Sequence, residues 1–89
     1  MIETTFHISN EQGIHARPAT ELVQKANQFQ SKISLTLQNT TVDMKSIMGV
    51  LSLGVTKGSL VTITAEGSDE QAAMDTMKRL FMSINQRSQ

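Results

Sequence analysis

His15 and Arg17 stand two residues apart in Gly13-Ile14-His15-Ala16-Arg17-Pro18-Ala19-Thr20, where a helical hydrophobic pattern begins. Pro18 marks that start, because its fixed φ suits a first turn and its missing N–H costs nothing there. The backbone N–H groups of Ala16 and Arg17 then have no intrahelical partners and point towards an anion. The helix dipole adds roughly half a positive charge at that end, and the Arg17 guanidinium can fork onto phosphate oxygens. A neutral imidazole is a nucleophile. The group therefore suits a histidine that carries a phosphoryl group and is stabilised once charged. The plainer alternative is a helix-capping histidine followed by a solvated arginine.

A second segment, Lys45-Ser46-Ile47-Met48-Gly49-Val50-Leu51, opens a short apolar stretch. As an N-cap, Ser46 would contribute about 1 kcal/mol through an amide two or three residues on. A phosphate on the same oxygen would sit at the positive end of the helix, where it is tolerated or stabilising. Two helical turns cannot bury Ile47, Met48 and Leu51 together, so these side chains read as a contact patch, with a cap plus core packing as the bland reading. His7 falls on the polar face of a strand with no second ligand at metal spacing, and reads as a solvated histidine. No metal site, Gly-rich phosphate loop, Ser-His-Asp set or carboxylate pair is apparent, and no cofactor is implied. Met44, Met74 and Met77 read as gap-fillers, Met48 as part of the patch.

The elements that must hold these residues follow from hydrophobic periodicity. Ile2, Phe6 and Ile8 alternate with Glu3, Thr5 and His7, a half-buried strand over residues 2–8. Ala19, Leu22, Val23 and Ala26 share one helical face, with Phe29 continuing it. Ile33, Leu35 and Leu37 form a second strand. Asn39 and Thr40 form a tight turn into a short third strand bearing Val42 and Met44. Ser46 caps a helix over residues 47–52 with Gly54 near its C-cap. Lys57-Gly58 turns the chain into a fourth strand with Val61, Ile63 and Ala65 on one face. Gly67-Ser68-Asp69 ends that strand and caps a long helix whose Ala73, Met77, Leu80 and Ile84 face inward. The polar tail from Asn85 to Gln89 is expected to fray. The expected fold is α+β: an open-faced β-sandwich of order β-α-β-β-α-β-α, its four-stranded, mostly antiparallel sheet carrying three helices on one face.

Composition agrees with a single domain over residues 1–89. Apolar residues make up 38% of the 89, enough for one modest core. Eight basic residues balance eight acidic ones, and the three aromatics are all phenylalanine, so direct nucleic-acid binding lacks both its charge and its stacking surface. The absence of cysteine excludes disulfides, zinc-thiolate sites and thiol catalysis. No apolar run approaches the length of a membrane span or a signal h-region, so membrane insertion is not expected and a cytoplasmic location is.

The segments 13–20 and 45–54 resemble the active-site and regulatory segments of the HPr phosphocarriers of the bacterial sugar phosphotransferase system, the second in the form found in Gram-positive bacteria. Length, element order and the spacing of the motifs fit along the whole chain. The resemblance implies that His15 accepts a phosphoryl group through Nδ1 from the phosphohistidine of enzyme I, phosphoenolpyruvate being the original donor, and passes it to the A domains of sugar permeases. It implies that Arg17 clamps the phosphoryl oxygens and the Ala16 and Arg17 amides stabilise their charge. It also implies that an HPr kinase/phosphorylase modifies Ser46, producing a corepressor for the catabolite control repressor and a poor acceptor from enzyme I. Thr20, Val23, Gln24, Ile47, Met48 and Leu51 would dock partners. Such a protein is a carrier that becomes covalently modified, not an enzyme with its own turnover.

Three departures from the family pattern bear on partner choice. Glu21 stands where an apolar residue is usual, and a carboxylate there would weaken docking to acidic partners. Leu37 replaces a common tyrosine, and Lys78, Arg79 and Arg87 lie on a C-terminal helix that is more often acidic. Two rival readings within the family are a regulatory paralogue like Crh, acting through phospho-Ser46, and a carrier for a dedicated phosphotransfer branch. In Crh the active-site histidine is replaced, whereas this chain keeps His15 with Arg17. A rival of another class is a binding module of split β-α-β topology reading nucleic acid or a small ligand, the former opposed by the lack of exposed aromatics and of net positive charge.

Overall fold

Alternating burial builds four strands, β1 (Ile2–His7), β2 (Lys32–Leu37), β3 (Thr40–Asp43) and β4 (Leu60–Glu66). In the computed structural model, which describes residues 1–87, they form one sheet of order β1-β4-β2-β3. Every pairing is antiparallel. Between the strands run α1 (Ala16–Ala26), α2 (Ile47–Ser52) and α3 (Glu70–Gln86), giving the expected β-α-β-β-α-β-α order. The register sets Thr4, Ile63, Leu35 and Val42 side by side on the inner face, and Thr5, Thr62, Thr36 and Thr41 on the outer one. The outer hydroxyls bond across strands, Thr5 with Thr62 at 3.3 Å and Thr36 with Thr41 at 2.8 Å.

The inner face carries the core. Ile33, Leu35, Val61, Ile63 and Ala65 from the sheet meet Leu22 and Ala26 of α1, Val50 of α2, and Ala73, Met77, Phe81 and Ile84 of α3, all fully buried. Met44 and Met74 are buried with them, as gap-fillers should be, whereas Met48 is 79% exposed. Phe6 of β1 stacks on Phe81 of α3 with ring centroids 4.9 Å apart, fastening the edge strand to the helix layer.

Four local expectations are corrected. The β2–β3 turn falls one residue early, on Gln38 and Asn39, with Leu37 paired to Thr40 and Gln38 adopting φ 56°. Phe29 lies beyond α1, because Asn27 ends the helix: its side-chain amide donates to the Val23 carbonyl at 2.9 Å and the Lys45 carbonyl at 3.2 Å. Asp69 stands at the N-cap of α3 without capping it; its carboxylate accepts from the backbone N–H groups of Gln30 and Ser31 and from the Ser31 hydroxyl. Asn85 and Arg87 are tethered by side-chain bonds: Asn85 Oδ1 accepts from the Ser9 N–H, Asn85 Nδ2 donates to the His7 carbonyl, and Arg87 donates to Glu21. Ser88 and Gln89, the rest of the segment expected to fray, lie outside the described residues.

Candidate functional site

His15 reaches its place through a loop with little freedom. Asn10 is 2% exposed and donates from Nδ2 to the Ile84 carbonyl at 2.9 Å, while its Oδ1 accepts from the Gln12 N–H. Gly13 follows at φ 63°, so close to the chain leaving α2 that a Cβ would come within 2.2 Å of the Val55 carbonyl oxygen. Only glycine satisfies both demands. The Ile14 N–H then bonds Val55 O at 3.1 Å, and the chain delivers His15 to the N-cap of α1.

At that cap the His15 backbone is extended (φ −94°, ψ −168°) and its ring makes no capping bond. The imidazole is therefore not spent on its own helix, as the plainer reading required. Ala19 N–H bonds the His15 carbonyl at 3.0 Å. Helix geometry gives first-turn N–H groups no carbonyl one turn back, so the Ala16 and Arg17 amides lack an acceptor among the described residues, while Pro18 has no N–H to satisfy. Arg17 is exposed and enters no ion pair among the described residues, leaving its guanidinium free for an incoming anion. His15, Ala16 and Arg17 border one cleft of about 600 Å³.

Glu21 also borders that cleft, but not as a free carboxylate. Arg87 donates to it in a two-bond fork, Nη1 to Oε2 at 2.9 Å and Nη2 to Oε1 at 2.6 Å. Those hydrogen bonds, with the charges of Arg87 and Arg17, hold the Glu21 carboxyl below the usual range. In the sequence Glu21 and Arg87 stand as two separate departures, yet in the fold they answer each other across 66 residues. Opposite charge at two departures from one family pattern was the available signal.

The residues expected to dock partners do not all reach the surface. Gln24 is exposed, as are Ile47, Met48 and Leu51 at 41%, 79% and 37%. Thr20 is half-buried and turns its hydroxyl back to the Ala16 carbonyl at 2.9 Å. Val23 is a correction: at 6% exposed it packs in the core, because it shares the buried face of α1 with Leu22 and Ala26. Ser46 caps α2, its Oγ accepting from the Gly49 N–H at 3.0 Å, and Gly54 follows the C-cap at φ 62°. Both site helices are joined through Lys45, whose carbonyl takes Asn27 and whose ammonium reaches the Phe29 carbonyl at 2.8 Å. His7 is exposed, and the described residues hold no cluster of groups suited to a metal ion. No helix among them is long and apolar enough to cross a membrane.

Residues 2–83 match the family model for the PTS HPr component phosphorylation site. Among solved structures, HPr-C-His from Thermoanaerobacter tengcongensis is 43% identical, with a TM-score of 0.93 and 100% of each chain covered. The phosphocarrier protein HPr from Bacillus anthracis str. Ames is 39% identical, with a TM-score of 0.83, over 89% of this chain and 94% of that one. Crh, the Bacillus subtilis catabolite repression protein, is 37% identical with a TM-score of 0.75, over 93% and 95%.

Proposed function

The chain belongs to the HPr phosphocarrier family of the phosphotransferase system, and from that premise we propose that it carries a phosphoryl group on His15 between enzyme I and the A domains of sugar permeases. One observation carries this reading. The His15 ring is left free at a helix N-terminus whose unpaired amides and neighbouring Arg17 favour an anion.

The chemistry follows from those groups. The Nδ1 lone pair of neutral His15 forms a bond to phosphorus as the P–N bond of the donor phosphohistidine breaks, its electron pair returning to the donor ring. Onward transfer repeats the exchange with His15 as the leaving group. Little covalent work is asked of the protein, and positioning plus charge stabilisation suffice. Arg17 and the Ala16 and Arg17 amides would hold the phosphoryl oxygens, while the open cleft leaves phosphorus accessible to the next acceptor. On this reading the protein is a carrier, not an enzyme with its own turnover, and works in the cytoplasm.

Ser46 supports a regulatory layer on the same chain. Phosphorylation of its Oγ by an HPr kinase/phosphorylase would place a dianion beside the exposed Ile47, Met48 and Leu51, discouraging acidic partners there and creating a mark for the catabolite control repressor. A mainly regulatory role like that of Crh is the second reading, favoured by the 37% identity to that protein. The retained His15 and Arg17 weigh for the carrier. Intact mass after incubation with enzyme I, magnesium and phosphoenolpyruvate decides between them. An acid-labile gain of one phosphate, absent in His15→Ala, is expected; no gain with a competent enzyme I would overturn the carrier reading.

A further inference from the structure

Arg87, just past the last turn of α3, borders the His15 cleft with a guanidinium that phosphoryl transfer has not so far required. Two of its donors hold Glu21, and a longer contact of 3.4 Å reaches the Ser83 hydroxyl. The pair is only part-buried, at 29% exposure for Arg87 and 35% for Glu21, so its partners can exchange. Glu21 also feels the charge of Arg17. Among the described residues, a single carboxylate thus sits with two guanidiniums on the wall of the cleft that His15 borders. These described side chains set two positive charges against one negative, a balance that favours an arriving anion.

We propose that Arg87 is a second phosphoryl-binding cation of the His15 site, held on the cleft wall by Glu21 in the resting protein and shared with the phosphoryl group once His15 carries it. The proposal rests on the carrier reading above. A phosphoryl group brings up to two negative charges and three acceptor oxygens, where Glu21 offers one charge and two oxygens. It therefore competes for the guanidinium, and it repels the Glu21 carboxylate that holds Arg87 back. Glu21 acts as the resting counter-ion, keeping Arg87 folded against α1.

Phosphoprotein prepared with enzyme I and phosphoenolpyruvate, then freed of donor, is titrated by phosphorus NMR as wild type, Arg87→Gln and Glu21→Gln. The guanidinium signals of Arg87 are recorded before and after phosphorylation. Losing the Arg87 cation is expected to raise the second pKa of the phosphoryl group by roughly half a unit or more, whereas losing Glu21 is expected to lower it. Arg87→Lys, keeping the charge without the fork, should fall between wild type and Arg87→Gln. Both variants break the same ion pair, so shifts in one direction would reduce it to a brace between α1 and α3 and overturn the proposal. An Arg87 signal unmoved by phosphorylation would do the same. If the wild type takes no phosphate on His15, the carrier reading fails and this proposal with it. Normal phosphorylation with Arg87→Gln unshifted removes only the role of Arg87.

Discussion

Gly13 shows how much can rest on one missing side chain. A Cβ there would press on Val55 O at 2.2 Å and Thr56 Cα at 2.8 Å, both backbone atoms, with φ at 63°. Gly13→Ala is therefore expected to cost about 2 to 4 kcal/mol in chemical denaturation and to slow phosphate uptake at His15, two residues on. Ser46 is a milder case. Its Oγ satisfies one orphan amide of a two-turn helix, so Ser46→Ala should cost about 1 kcal/mol while Ser46→Asp, which keeps an acceptor, costs little. A full loss of stability in Ser46→Asp would contradict the cap. At this scale the sequence was most readable where a residue acts on its own backbone. Ser46, Pro18 and Gly54 all announced themselves by type and position, and Gly13 was visible as part of the motif but not as a packing necessity.

Among elements, the joint between α1, β2 and α3 depends on Asp69. Three donors from residues 30 and 31 converge on its carboxylate, which reaches back across the start of α3 instead of capping it. The Ser31 hydroxyl, followed by the Gln30 amide, holds the Asp69 carboxyl below its usual range. A carboxylate lowered on folding adds stability that is complete above its unfolded pKa, near 4, and is lost as pH falls through the folded value. Glu21 and Glu70 are lowered too and act in the same window. Thermal melts of the wild type should therefore fall steeply below about pH 4, and Asp69→Asn should melt lower at neutral pH with a shallower acid slope. Equal slopes would remove Asp69 from that role. The strands and helices themselves were legible because period 2 and period 3.6 are local signals. The Asp69 contact was not, since its partners lie 38 and 39 positions away and a Gly-Ser-Asp before a helix reads as a cap.

Over the whole molecule, the C-terminal end of α3 turns from an expected loose tail into a fastening for the site. Asn85 bridges the Ser9 amide and the His7 carbonyl, and the Ile84 carbonyl takes the buried Asn10 side chain. Together they pin the loop that leads to His15. Asn85→Ala should cost about 1 to 2 kcal/mol and, more tellingly, speed amide exchange across residues 9–14 while sparing the β2–β3 hairpin. Uniform loss of protection would show that Asn85 supports the fold at large instead. Tail polarity suggested fraying because composition carries no record of which loop a helix end meets.

The strand order β1-β4-β2-β3 also dictates a sequence of events in time. β4 is the sixth of seven elements yet forms the middle of the sheet, paired to β1 on one side and β2 on the other. While the chain emerges from the ribosome, β1 and the β2–β3 hairpin have no direct partnership and each exposes an unpaired edge. Closing the β1–β4 ladder joins Phe6 to Val61, a loop long enough to make this the slow entropic step. Folding should therefore commit late, when residues 60–66 arrive as the keystone, and a nascent chain stalled before them would be the form most exposed to mispairing.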